Sequence, residues 1–306
     1  MRTFPTSVLL AIAIGLAVPW HEAPAAEPGS CYGRAVPAPP VRRQTIVLID
    51  KTTAPERDIA EAFVSTAVRE AAFPGQRFVL LTFSALGPDQ AITKHVDRVV
   101  EAPITDPDQI ENLPIRPFRT AQRCVKTRAA EWPRLAEGAI RAAMGDSGDR
   151  SRFKRSEIVY ALNKALTTFA DRGIEDTRLL VLSDAYENGS LGVSMYGRNG
   201  NPRLIDAREE LGRLVPEVRA RAIRNGTWNV VWFGLMSEGS GRQDRYFDVR
   251  SVQQVRAFWE HLLLRDWGVS SAVIDRIPLN PFDAADRFRA DLRPAGPHHV
   301  AAQSSR

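Results

Sequence analysis

Four stretches of this chain are apolar almost throughout: Ile46–Ile49 within Gln44–Asp50, Phe78–Phe83 with Thr82 as its one polar residue, Leu179–Leu182 within Arg178–Asp184, and Trp228–Phe233 within Trp228–Gly234 with Asn229 as its one. Runs of this kind, rather than alternating ones, predict strands buried on both faces. Between them the apolar positions recur at helical spacing. Ile59, Ala62, Phe63 and Ala67 follow Pro55 and stop at Pro74-Gly75. Ile158, Ala161, Leu162, Ala165, Leu166 and Phe169 form a second stripe, with Ser156 placed as its N-cap and Gly173 as its C-cap. Leu204, Ala207, Leu211, Val215 and Val218 predict a third helix, kinked at Pro216. Val252, Val255, Trp259 and Leu262 predict a closing one, and Val96–Ala102 a short edge strand.

Strands alternating with helices predict an α/β fold: a three-layer, Rossmann-type domain with a mostly parallel central sheet and helices on both faces. In such sheets ligands bind at the carboxyl ends of the strands. Asp50 and Asp184 both stand there. Tyr186–Asn201, rich in Gly and Asn, reads as a loop over the same edge, which makes Tyr186 a candidate for partner contact. Trp228, Trp232, Trp259 and Trp267 read as core packing.

Residues 103–155 break the rhythm. They are polar, carry five prolines, and predict one helix over Trp132–Met144, so the stretch reads as an insertion. At the amino end, Arg2 precedes the apolar run Val8–Val18, and Ala23-Pro24-Ala25 fits a cleavage site. That pattern predicts a secretory signal over residues 1–25, the alternative being an uncleaved anchor. A Pro/Ala-rich leader follows at 26–43, the α/β domain spans 44–274, and a partly disordered tail is expected over 275–306.

Composition adds little to this. The 306 residues are 44% hydrophobic and 25% charged, which excludes wholesale disorder and collagen-like repeats. Two cysteines, Cys31 and Cys124, are too few for a disulfide scaffold. In an exported chain they are expected to pair, closing a loop worth roughly 4 kcal/mol on the chain-entropy account, with two free thiols as the alternative. The expected location is periplasmic or secreted.

The formal charge is +5, and its position matters more than its size. Arg116–Arg155 holds eleven bases against four acids, so the rest of the chain is slightly acidic. Nucleic acid is not expected as the partner of an exported protein. A basic element ending in Arg150, Arg152, Lys154 and Arg155 is expected to face an acidic protein partner or an anionic membrane surface, with a merely solvated surface as the alternative.

Two aspartates at one sheet edge either cap local turns or hold a divalent cation with nearby hydroxyls, a donor set that suits Mg²⁺ or Mn²⁺. Thr52 and Thr53 follow Asp50, Ser183 precedes Asp184, and Ser156 opens a helix. With these residues in this order, the chain resembles a von Willebrand factor A domain over about 44–268, outside the 103–155 stretch. Members carry Asp-x-Ser-x-Ser after the first strand, a Thr opening a central helix, and an Asp after a later strand. Here Asp50-Lys51-Thr52-Thr53-Ala54, Ser156 and Asp184 take those places, while Ala54 lacks the last hydroxyl and Lys51 adds a positive charge. The resemblance implies a metal site at Asp50, Thr52, Ser156 and Asp184, completed by an acidic group of a protein partner, and an interaction module rather than an enzyme. A degenerate, metal-free site is the alternative, as in a structural subunit of an envelope assembly.

Asp50 also resembles the nucleophile of haloacid-dehalogenase-like phosphatases, although their second Asp is here Thr52. The chain has no His-Glu-x-x-His, Gly-x-Ser-x-Gly or phosphate-loop motif.

Overall fold

The computed structural model describes residues 29–84, 92–145, 156–170, 173–197, 203–220, 222–236 and 249–279. Its strands are β1 (Arg43–Asp50), β2 (Gln76–Phe83), β3 (Thr93–Val100), β4 (Asp176–Leu182), β5 (Thr227–Phe233) and β6 (Ser271–Ile274). They form one sheet in the order β3-β2-β1-β4-β5-β6. Every pairing is parallel except that of the edge strand β3. The helices are α1 (Arg57–Ala71), α2 (Pro107–Glu111), α3 (Ile115–Gly145), α4 (Ile158–Thr168), α5 (Ala207–Arg213), α6 (Pro216–Arg219) and α7 (Val249–Glu260), the last running on into a π-helical turn, His261–Asp266.

Successive strand residues point to opposite faces. Val47, Ile49, Phe78, Leu80, Leu180 and Val231 pack against α1 and α3. Ile46, Leu48, Val79, Leu81, Val181 and Trp232 pack against α4, α5 and α7. The fold is therefore the three-layer α/β arrangement that the continuous apolar runs require. Each fully buried aliphatic or aromatic side chain contributes about 1.5–3 kcal/mol of transfer free energy. Trp228, Trp232, Trp259 and Trp267 are all among them.

The largest departure from the sequence expectation is α3. In place of a helix confined to Trp132–Met144, there is a 31-residue helix that passes through Pro133. Its buried residues Ala121, Val125, Trp132, Ala136, Ile140 and Ala143 lie along one side. The Trp132 indole donates to the Ala71 carbonyl at 2.8 Å, and Phe78 packs edge-on against its ring. Residues 115–145 are thus part of the domain's outer layer rather than an appended loop.

The leader is anchored to the same helix. Cys31 and Cys124 are disulfide-bonded with Cα atoms 5.6 Å apart, next to a small core of Tyr32, Val36, Ile104, Ala121 and Val125. Such a bridge belongs to an oxidising compartment. No described helix is long and apolar enough to cross a membrane.

Smaller corrections have local causes. The helix expected over Leu204–Val218 is two helices, because Val215 is extended (φ −60°, ψ 138°), the conformation favoured before Pro216. Glu157, not Ser156, holds the N-cap position of α4, and Phe169, not Gly173, holds its C-cap. The predicted signal segment, the bases at Arg150, Arg152, Lys154 and Arg155, and the tail beyond Leu279 lie outside the described residues.

Candidate functional site

The strand order reverses between β1 and β4, so the chain leaves these two neighbours in opposite directions and opens a crevice at their carboxyl ends. β1 delivers Asp50 to that point, and β4 delivers Ser183 and Asp184. The start of α4 brings Ser156 from the other side.

Asp50 is buried and accepts four hydrogen bonds. The Thr52 backbone N–H and hydroxyl donate to Oδ1 at 2.8 and 2.6 Å. The Ser156 and Ser183 hydroxyls each donate to Oδ2 at 2.8 Å. Asp184 is partly exposed. Its Oδ1 accepts from the Tyr186 N–H at 2.9 Å, and its own N–H donates to the Thr53 hydroxyl at 3.2 Å. Three of the four residues expected in the site, Asp50, Thr52 and Ser156, are thus directly hydrogen-bonded, and Asp184 joins through Thr53.

Two tryptophans hold the second wall. The Trp232 indole donates to the Ser183 carbonyl and the Trp259 indole to the Ala185 carbonyl, both at 2.9 Å. The Met236 N–H donates to the Asp184 carbonyl at 2.9 Å. Between these bonds Ala185 adopts a left-handed conformation, φ 69°. Such a conformation persists in a non-glycine residue only where its surroundings fix it.

The electrostatics follow from burial. Removal from water pushes Asp50 above its ordinary range, and the Thr52, Ser156 and Ser183 hydrogen bonds pull it back. Asp184 is pushed up to about 7, mainly by burial and then by the negative charge of Asp50. Among the described residues, the partners of both carboxylates are hydroxyl and backbone N–H groups, not lysines or arginines. Lys51 donates its ammonium to the Ala143 carbonyl near the end of α3 at 3.0 Å.

Two carboxylates surrounded by hydroxyls suit a hard divalent cation. With their protons committed to Asp50, the Thr52, Ser156 and Ser183 oxygens keep lone pairs for such an ion. Among the described residues no three His, Cys, Asp or Glu side chains gather as a metal-holding group, so any ion here depends on the hydroxyls. Ala54 supplies none, whereas Ser183 adds one.

A second acidic pair lies below. Glu157 and Glu187 are both about 1% exposed. Glu187 accepts from the Val159 N–H at 2.8 Å, capping α4 from outside the helix. Glu157 accepts from the Ser190 N–H at 2.9 Å. Burial holds Glu187 well above its ordinary range, with Glu157 and Asp50 adding to the effect. Its Oε1 has no hydrogen-bond partner among the described residues. Neither glutamate stands out in the sequence, where they are single charges at loop positions.

Tyr186 does not form the expected contact surface. It is only 3% exposed, with its ring 5.5 Å from that of Tyr196. The loop turns back on itself, Met195 N–H to Glu187 carbonyl at 2.7 Å, and folds the ring into the core.

No protein-family model matches this sequence, and no curated relative matches it. Among solved structures, the pilus adhesin SpaC from Lactobacillus rhamnosus GG, in its open conformation, aligns at 12% identity and a TM-score of 0.33. The alignment covers 82% of this chain and 30% of the adhesin, and at that score it bears on neither function nor partner.

Proposed function

We propose that this is an exported interaction module resembling a von Willebrand factor A domain, which binds an acidic group of a protein partner through Mg²⁺ or Mn²⁺. The observation that supports it is the convergence of Thr52, Ser156 and Ser183 hydroxyls on Asp50, with Asp184 joined through Thr53 at the point where strand order reverses. Asp50 orients the three hydroxyls, and Asp184 supplies the second negative charge. The bound ion would supply a coordination position for a carboxylate from outside. The disulfide and the predicted signal segment support export.

Calorimetric titration with Mg²⁺ and Mn²⁺ tests this reading. Binding heat that disappears in Asp184→Ala, together with partner capture lost on chelation, is the expected result. Partner capture indifferent to chelator and to Asp184→Ala would assign the chain to a metal-free structural subunit instead.

A further inference from the structure

The side of α3 that faces away from its buried residues is cationic. Arg116, Arg119, Arg123, Lys126, Arg134 and Arg141 fall within an arc of about 80° at 100° per residue. The first four are exposed and occupy about 15 Å of helix. No acid stands between Glu111 and Glu131. Arg141 is paired with Glu61 and Glu137, and Arg128, on a different side, with Glu101. Arg116, Arg119, Arg123 and Lys126 make no ion pair among the described residues. Like charges three and four residues apart weaken a helix. Four left uncompensated along one line among the described residues point to an external partner of negative charge.

We propose that this stripe rests on an anionic lipid surface. The stripe lies on the outward side of a single helix, whereas a bound peptide needs pockets or a sheet edge. Ile115, 66% exposed, stands at its end beside Arg116 and projects toward the same side, about 20° from Lys126. An apolar tip next to aligned bases is the pattern of interfacial contact with acidic headgroups. Because the apolar side of α3 is buried in the domain, contact is electrostatic and reversible. Lys126, the last of these four bases, lies about 25 Å along the helix before Ala143, the residue bonded to Lys51, so lipid contact by the four does not overlap the Asp50 site.

Sedimentation of residues 26–306 with lipid vesicles tests the proposal. Binding is expected to vesicles of phosphatidylcholine with about one-third phosphatidylglycerol, not to phosphatidylcholine alone, and is expected to vanish at about 0.5 M salt. Arg116→Glu/Arg119→Glu/Arg123→Glu should lower the partition by about tenfold or more. Arg208→Glu/Arg224→Glu/Arg265→Glu, equal in net charge but placed elsewhere on the surface, should not. If circular dichroism shows the first variant misfolded, the triple glutamine variant replaces it. Absence of vesicle binding, equal binding to neutral vesicles, or equal loss in both triple variants overturns the proposal. Capture by soluble polyglutamate without vesicle binding also overturns it, in favour of an acidic protein.

Discussion

The Ser156 hydroxyl donates to Asp50 Oδ2 at 2.8 Å, joining the start of α4 to the end of β1 across 106 residues of sequence. Both residues are buried. Ser156→Ala leaves one Asp50 acceptor position without its donor, which is expected to cost about 1–3 kcal/mol in denaturant unfolding. It should also weaken Mg²⁺ binding in calorimetry, because one oxygen donor is lost. Ala54→Ser makes the opposite change by adding a hydroxyl, and is expected to tighten Mg²⁺ binding several-fold without loss of stability.

Asp184 gives a pH dependence of defined sign. Its carboxyl is pushed up to about 7, so the folded chain holds a proton that the unfolded chain releases from about pH 4 upward. The stabilisation is complete below the unfolded value and is lost as pH rises through about 7. Without divalent ions, Tm is expected to fall across that window. With Mg²⁺ the fall should shrink, because the ion favours the ionised form. Asp184→Asn should flatten the profile and abolish the Mg²⁺ effect.

Glu187 is the isosteric test of the lower acid pair. Burial favours its protonated form, so its contribution also declines as pH rises. Glu187→Gln keeps an acceptor for the Val159 N–H and places an amide at the unpartnered position. Equal or higher stability than the parent above neutral pH is expected in thermal melts. Glu187→Ala, which removes the outside cap of α4, should lose about 1–2 kcal/mol.

The disulfide predicts a redox effect confined to the leader side. Cys124→Ser, or reduction of the parent, is expected to lower stability by about 2–4 kcal/mol. Mg²⁺ binding should persist at temperatures where the variant remains folded, since neither cysteine contributes to the Asp50 site.

Much of this architecture was legible because both faces of the sheet are covered. Ile46–Ile49 and Leu179–Leu182 have no solvent side, so polar residues do not interrupt them. The strand ends then placed Asp50 and Asp184 at one edge. The long helix α3 was obscured by its composition. Three of its six buried residues are alanines, a weak apolar signal, its outer side is crowded with bases, and Pro117 and Pro133 interrupt the helical pattern. β6 is four residues long and only Ile274 is buried, too little to distinguish from a loop. The burial of Tyr186 has no local sequence pattern, because it arises from the loop doubling back to Tyr196. Glu157 and Glu187 were hidden for the same reason, since their burial depends on chain segments meeting across 30 residues.

The two indoles that grip the Ser183 and Ala185 carbonyls have a practical consequence. Trp232 and Trp259 lie 4.8 Å apart, centroid to centroid, in contact with each other and each bonded to the segment that carries Asp184. The chain thus contains its own optical probe. Occupation or rearrangement of the crevice would alter the environment of both indoles, and their ultraviolet emission could report it without a label.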